Sequence, residues 1–224
     1  LEGGTLTAYR NIGGDSLSLR TSPKNQKLFI PSMRDIQGHY AEEDIMFLAS
    51  LEAFIPNTTY FGPSLTMNRG DFARAVAKIL KLVEEQQTNT KQRSVQTQQP
   101  KPVFADVSLN NPNRTYIEAV AEKGIMNGSG ATFRPNESLT KAQAVTVLIR
   151  SLGFENLAPI QQYSTAFKDD AEIPSWGRDA IYVAREIGLI EGNDGYFQPN
   201  RPLTKAQAAR MLMNYINYLR EDLR

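Results

Sequence analysis

Apolar residues in the last third of the chain recur every three or four positions, which is the spacing of one face of an α-helix. In this segment they are Trp176, Ala180, Ile181, Ala184 and Ile187. Gly188 interrupts the pattern, and the following residues, GNDGYFQPNRP, combine an Asn-Asp-Gly turn with two prolines. The pattern predicts a first helix that ends near Gly188, a loop that packs through Phe197, and a second helix after that loop.

A capping residue stands where each second helix is expected to begin. Thr140 and Gln143, like Thr204 and Gln207, have the spacing of a capping box, in which the Thr hydroxyl and the Gln side chain satisfy unpaired backbone N–H groups. Asn68 occupies the same place earlier in the chain and is an equally good N-cap. The sequence therefore predicts three second helices with defined starting points.

The helix-loop-helix unit occurs three times. Segments 104–150 and 167–213 match without a gap, because 64 residues separate Ile117 from Ile181 and also Phe133 from Phe197. A more divergent copy precedes them, with Phe61 72 residues before Phe133. A unit of about 50 residues buries too little apolar surface to fold alone, so we expect the three copies to share one core.

The repeats divide the chain into five predicted segments. One stretch is rich in Gln and Thr and ends with two prolines, which is the composition of a solvated linker. The segments are an irregular or β N-terminal segment, interpreted as the end of a preceding domain (1–30), repeat 1 (31–83), the Gln-rich linker (84–102), repeat 2 (103–153) and repeat 3 (154–224).

Composition excludes several functional classes. The chain has 25 Lys and Arg against 24 Asp and Glu, so it lacks the basic excess of a nucleic-acid-binding protein. It contains no apolar stretch of the roughly 18–20 residues that a membrane-spanning helix needs. Cysteine is absent and His39 is the only histidine, so we expect no metal site, no cofactor and no catalytic activity. The N-terminal LEGGTLTAYR does not read as a signal peptide, which predicts a cytosolic protein or a piece of a longer one.

The order of the motifs resembles the surface-layer homology (SLH) domain. These motifs are F-x-D before the first helix, an aromatic residue five positions before its central Ile, F-x-P-N in the loop, and L-T-K-A-Q at the second helix. The resemblance covers about residues 31–220. It implies an all-α fold in which three tandem repeats form a pseudo-threefold, trimer-like spindle.

The resemblance also implies a function and a location. SLH triplets hold bacterial surface proteins to the cell wall by binding an anionic, often pyruvylated, wall polysaccharide in grooves between repeats. We therefore expect a non-catalytic anchoring module, secreted to the bacterial cell surface or S-layer and attached to a surface-protein cargo. The alternative is a structural or protein-interaction module of a surface assembly, with degenerate glycan sites. A wall-hydrolase activity would require a further domain.

Three groups of residues carry the ligand-binding roles that the resemblance implies. The basic group is Arg69, Lys141 and Lys205; the acidic group is Asp35, Asp106 and Asp169; and the aromatic group is Trp176 and Tyr40. Repeat 2 has Pro112 at the aromatic position. Lysine lacks the planar fork with which arginine grips a carboxylate, so Arg69 is the best preserved of the three cations relative to the family pattern.

Each group also has a structural interpretation. A cation in the first turn of a helix opposes the helix dipole, so these side chains either serve an anion site or are simply solvated. The aspartates either cap turns or contact ligand, with capping favoured. Trp176 is either ordinary core or a flat surface for a sugar ring. Gly128 and Gly192 are expected to be turn glycines with positive φ, or ligand contacts at which a sugar approaches the backbone closely. The phenylalanines of the repeated motifs should be core.

Overall fold

The structure, a computed structural model, is helical and confirms the all-α prediction. It describes the backbone of residues 11–12 and 15–16, and residues 33–54, 59–83, 103–159 and 163–221. Within these ranges the α-helices are α1 (Glu42–Ser50), α2 (Arg69–Ile79), α3 (Arg114–Glu122), α4 (Lys141–Leu152), α5 (Ser175–Glu186) and α6 (Lys205–Glu221). The N-terminal segment contributes an antiparallel pair, β1 (Asn11–Ile12) and β2 (Asp15–Ser16). The predicted linker at 84–102 lies outside the described residues.

The predicted helix starts are confirmed. In α4 the Thr140 hydroxyl accepts a hydrogen bond from the Gln143 N–H at 3.3 Å, and the Gln143 side chain accepts one from the Thr140 N–H at 3.0 Å. Thr204 and Gln207 make the same reciprocal pair at the start of α6. Asn68 caps α2. None of the helices in the described part of the chain is long and apolar enough to span a membrane.

Each second helix packs against the first helix of a different repeat. Helix α2 packs against α3, α4 against α5, and α6 against α1. Repeat 1 therefore contacts repeat 2, repeat 2 contacts repeat 3, and repeat 3 returns to repeat 1. The buried apolar side chains of the three copies form one cluster, so the copies share one core, as their small size requires.

Three backbone hydrogen bonds close the same cycle just before the second helices. The Met67 N–H donates to the Leu203 carbonyl at 2.8 Å, Leu203 donates to Leu139 at 2.8 Å, and Leu139 donates to Met67 at 2.9 Å. All three side chains are buried. This cross-repeat triangle satisfies backbone groups that a single repeat would leave unpaired in its interior, and it fixes the start of each second helix relative to the next repeat.

The phenylalanines of the F-x-D and F-x-P motifs are core, as predicted. The paired rings are Phe104 with Phe133, whose centroids are 5.3 Å apart, and Phe167 with Phe197, also 5.3 Å apart. Phe61, in repeat 1, pairs with Phe54 at 5.1 Å. Each pair joins the loop of a repeat to its own helices.

The prediction of positive φ for Gly128 and Gly192 is wrong. The glycines that turn the chain after α3 and α5 are Gly124 and Gly188, with φ of +68° and +70°. A Cβ on Gly128 would lie 2.7 Å from the Phe104 ring and 2.4 Å from a backbone carbonyl. Gly128 and Gly192 are therefore needed for the close approach of the backbone to the phenylalanine rings, which neither of the two interpretations anticipated.

Candidate functional site

A groove lies at each junction where the second helix of one repeat begins against the loop of another. We name each groove after the cation that crosses it. The Arg69 groove joins repeat 1 to repeat 2, the Lys141 groove joins repeat 2 to repeat 3, and the Lys205 groove joins repeat 3 to repeat 1. In each groove, N–H groups of the first helical turn donate to loop carbonyls of the other repeat, as Lys141 does to Arg201 at 3.1 Å.

The three predicted cations reach across these junctions. The Lys141 ammonium donates to the Phe197 carbonyl at 3.1 Å, and the Lys205 ammonium donates to the Phe61 carbonyl at 3.3 Å. Each ammonium also lies over the ring of that phenylalanine, at 6.0 Å and 5.6 Å from its centroid. These side chains are half-buried in the crevices, so the interpretation of them as simply solvated is wrong.

Arg69 makes the equivalent contact and one more. Its Nε donates to the Phe133 carbonyl at 2.9 Å, and its Nη2 donates to the Asn127 carbonyl at 3.0 Å. The guanidinium therefore spans the Arg69 groove from the loop to the end of the turn that follows α3. The longer, forked side chain bonds to two parts of repeat 2. In the Lys141 groove the corresponding turn, at Glu191 and Gly192, instead lines an open cavity.

Burial disfavours the charged form of two of these cations. It lowers the pKa of Arg69, and nearby Arg134 adds to the effect. Burial likewise lowers the pKa of Lys141, assisted by the positive charge of Arg201, while Asp169 opposes the shift. Each of these cations is partly desolvated and lies near a second cation. An anion that binds there is favoured, because its charge offsets both the desolvation and the repulsion.

The three predicted aspartates hold the loops. The two carboxylate oxygens of Asp169 accept from the N–H groups of Phe197 at 2.8 Å and Gln198 at 2.6 Å. Asp35 and Asp106 make the same pair of bonds, at the same distances, to the loops of repeats 1 and 2. These contacts match the capping interpretation, and they position the phenylalanine carbonyl that each cation contacts.

The same hydrogen bonds keep two of these carboxylates ionised. Burial works to raise the pKa of Asp35, but the N–H groups of Phe61 and Gly62 outweigh it, so the pKa lies below its usual value. The pKa of Asp106 is lowered in the same way: burial opposes the shift, and the loop N–H groups and Arg134 overcome it.

The predicted aromatic residues lie on the surface. Trp176 is 58% exposed and Tyr40 is 62% exposed, so the interpretation of Trp176 as ordinary core is wrong. Trp176 lies in the first turn of α5, and Tyr40 lies just before α1. Tyr40 of repeat 1 lines the Lys141 groove, whose cation comes from repeat 2. Pro112, at the equivalent place just before α3, is exposed.

Two grooves contain measurable cavities in equivalent places. The cavity of the Lys141 groove has a volume of about 330 Å³ and is lined by Lys141, Tyr40, Phe197, Gln207 and Arg210, among others. The cavity of the Lys205 groove is smaller, about 80 Å³, and its lining includes Lys205, Phe61, Asp71 and Arg74. Sequence reasoning missed Arg210 and Arg74. Both stand six residues after the N-cap of a second helix, and alignment of the repeats from that cap is the signal that could have found them.

Arg210 connects the Lys141 groove to repeat 1. Its Nη2 donates to the Tyr40 carbonyl at 2.9 Å, and its Nε lies 2.7 Å from Asp44. The guanidinium thus fixes the position of the exposed tyrosine relative to α6. Within the described ranges no group of three or more acidic or histidine side chains is placed to hold a metal ion.

Comparison with known proteins agrees with the repeat pattern. A family model, the S-layer homology domain, matches residues 32–73, 103–145 and 166–209. The exoglucanase XynX of Acetivibrio thermocellus is 28% identical over 186 residues, which cover 81% of this chain and 16% of that protein. The S-layer protein of Bacillus licheniformis is 27% identical over 178 residues, 78% of this chain and 18% of that protein. The chain therefore spans less than a fifth of the length of either relative. Because the three matches together cover more than half of the chain, it belongs to the S-layer homology domain family.

Proposed function

We propose that this chain is a non-catalytic module that anchors a larger surface protein to the bacterial cell wall by binding an anionic wall polysaccharide in its inter-repeat grooves. The observation that carries the proposal is the position of the three cations. Each leaves the first turn of a second helix and enters the crevice beside the next repeat. A helix N-terminus and a half-buried cation together form an environment that favours a negative charge.

The cyclic contacts support a pseudo-threefold, spindle-like arrangement of the repeats. The cross-repeat triangle and the helix pairs α2 with α3, α4 with α5, and α6 with α1 repeat the same relation at all three junctions. In this arrangement the grooves are held on one body, so that several weak sites act together on a polymer through effective concentration.

Within a groove we assign distinct roles to the predicted residues. Arg69, Lys141 and Lys205 contact an anionic group, preferably a carboxylate such as a pyruvate ketal. Tyr40 and Trp176 provide flat surfaces for sugar rings. Asp35, Asp106 and Asp169 act through the loops that they hold. The relatives support surface attachment: one is named as an S-layer protein and another as an exoglucanase, and in both this chain matches a small part.

A pull-down on purified cell-wall sacculi tests the proposal. We expect the wild-type chain to be retained on intact sacculi and not on sacculi from which the wall-linked polysaccharide has been removed. A triple variant, R69M/K141M/K205M, should lose retention, because methionine keeps much of the length of these side chains and removes the charge. Far-UV circular dichroism of the variant provides the folding control. Equal retention of the two proteins would contradict binding in the grooves.

A structural or protein-interaction role is the second candidate, and one observation favours it. The Arg69 guanidinium already donates to two carbonyls of repeat 2, so it also joins the repeats. If this is its whole purpose, the triple variant will melt at a lower temperature while the wild-type chain shows no preference for sacculi that carry the polysaccharide. The two candidate functions therefore predict different results in the sacculus pull-down and in thermal denaturation of the triple variant.

A further inference from the structure

We propose that the three grooves are not equivalent, and that the Lys141 groove is the primary anion site, with Arg201 and Arg210 as the residues that determine its preference for a highly charged glycan. The inference rests on the proposed function and assigns it to one groove. It depends on three positions at which the repeats differ, although the backbone around them is the same.

The first position is the loop residue whose carbonyl accepts the N–H of the cation. In the Lys141 groove it is Arg201, in the Arg69 groove it is Glu137, and in the Lys205 groove it is Leu65. This residue is therefore basic in the Lys141 groove, acidic in the Arg69 groove and apolar in the Lys205 groove. Burial lowers the pKa of both Lys141 and Arg69, and Arg201 adds to the shift at Lys141 as Arg134 does at Arg69. Of the residues at this first position, Arg201 therefore strengthens the shift of its cation, whereas Glu137 opposes it.

The second position lies six residues after the N-cap of the second helix. Arg210 holds it in the Lys141 groove, where it lines the cavity. In the Arg69 groove the residue is Thr146, a buried side chain whose hydroxyl donates to the Ala142 carbonyl at 2.9 Å. In the Lys205 groove it is Arg74, whose Nε donates to the Glu52 carbonyl at 3.2 Å.

The third position is the aromatic platform. The Lys141 groove has Tyr40, the helix pairs place Trp176 beside the Arg69 groove, and Pro112 stands beside the Lys205 groove. The Lys141 groove therefore combines a platform with a cavity of about 330 Å³ that is lined by two basic side chains, Lys141 and Arg210, and Arg201 lies close to Lys141. Three carboxylates are near them. Asp44 is paired with Arg210, Asp169 accepts from two loop N–H groups, and Glu191 lines the cavity.

In the Arg69 groove the charged side chains are already engaged within the protein. Arg134 and Glu137 form an ion pair there at 3.2 Å, and the Arg69 guanidinium bridges two carbonyls. An anion entering this groove would compete with both bonds of the Arg69 guanidinium, whereas in the Lys141 groove it would meet an ammonium that makes one bond and faces an open cavity. The cavity and the two basic side chains that line it favour the Lys141 groove for a glycan segment that carries more than one negative group.

Titration calorimetry of the whole chain with polysaccharide released from purified sacculi tests the assignment. We expect one dominant site in the wild-type chain. Arg201→Gln should weaken binding about five-fold and reduce its dependence on salt, since an exposed cation contributes through screened attraction. Arg134→Gln, the matched exposed arginine of the Arg69 groove, should leave the affinity within about two-fold of the wild type.

Loss of the central cation gives a larger expected effect. Lys141→Met should weaken binding on the order of ten-fold or more, and Lys205→Met much less. Arg210→Gln should weaken it more than Arg74→Gln, with melting temperatures measured for both because each arginine also bonds to the protein. Three equal sites, or equal effects of Arg201→Gln and Arg134→Gln, would overturn the assignment to one groove and leave the anchoring function intact. No binding by the wild-type chain would refute the anchoring function itself.

Discussion

The carboxylate of Asp169 holds the loop of repeat 3 in place. Replacement of Asp169 by asparagine gives a quantitative test of this contact. Asp169 is only 6% exposed, and its two oxygens accept from consecutive N–H groups, at Phe197 and Gln198. Gln198 has φ of +60°, a conformation that few non-glycine residues adopt, so these bonds also stabilise a strained turn. Asparagine is the same size but offers one acceptor oxygen, and its NH₂ group would face the second N–H.

The magnitude follows from this geometry. The variant loses one charge-assisted hydrogen bond and leaves a buried donor unpaired, which together cost about 2–4 kcal/mol in the free energy of unfolding. For a chain of this length each kcal/mol shifts the melting temperature by about 2–4 °C, so Asp169→Asn should melt roughly 5–15 °C lower. Thermal denaturation followed by far-UV circular dichroism measures the shift.

Asp106→Asn is the matched control. It changes the same pair of bonds in repeat 2, but Asp106 is exposed and water can replace the lost acceptor. Its melting temperature should therefore fall by clearly less. If the two variants have the same melting temperature, or if Asp169→Asn has that of the wild type, then burial does not control the strength of these loop contacts and the reasoning fails.

The remaining predictions concern pH, packing and the repeat junctions. The pKa of Asp106 is lower in the folded than in the unfolded chain. Its contribution to the free energy of unfolding is therefore complete above the unfolded-state pKa and is lost as the pH falls through the folded-state pKa. The melting temperature of Asp106→Asn should accordingly fall less steeply in acid than that of the wild type. Gly128→Ala should cost about 1–3 kcal/mol by chemical denaturation because its Cβ would overlap a ring and a carbonyl, whereas Gly130→Ala, with φ of +58° and open space around it, should cost about 1 kcal/mol. Arg69→Met should lower the melting temperature more than Lys205→Met, since Arg69 donates to two carbonyls and Lys205 to one at 3.3 Å.

The sequence predicted the parts of the fold that depend on local pattern. Apolar spacing located the helices, and the capping boxes at Thr140 and Thr204 located two second-helix starts, because both signals lie within a few residues of one another. The glycines show the limit of such reasoning. Positive φ was expected at Gly128, but the residue is needed for its distance to the Phe104 ring, which is a property of packing and not of the local chain.

The composition of each groove could not be predicted from one repeat, because every groove takes residues from more than one. Tyr40 was assigned to repeat 1 by alignment, yet it lines the groove that Lys141 crosses from repeat 2. Only the pairing of α1 with α6 brings these side chains together. The sequence predicted the residue types of the proposed site, whereas their partners follow from the cyclic order of the repeats.

The same cyclic order explains why stability and recognition are linked in this chain. A cation at the start of a second helix opposes the helix dipole and is partly desolvated, two costs that a bond to a loop carbonyl of the next repeat offsets only in part. Arg69 offsets them with two such bonds, so its junction is stable without a ligand. Lys141 makes one such bond and lies beside an open cavity, so its ammonium can still donate to an anionic group. An anion that binds there stabilises the junction between repeats 2 and 3 by the free energy of its own binding, so saturation with the wall polysaccharide should raise the melting temperature of the wild-type chain more than that of Lys141→Met.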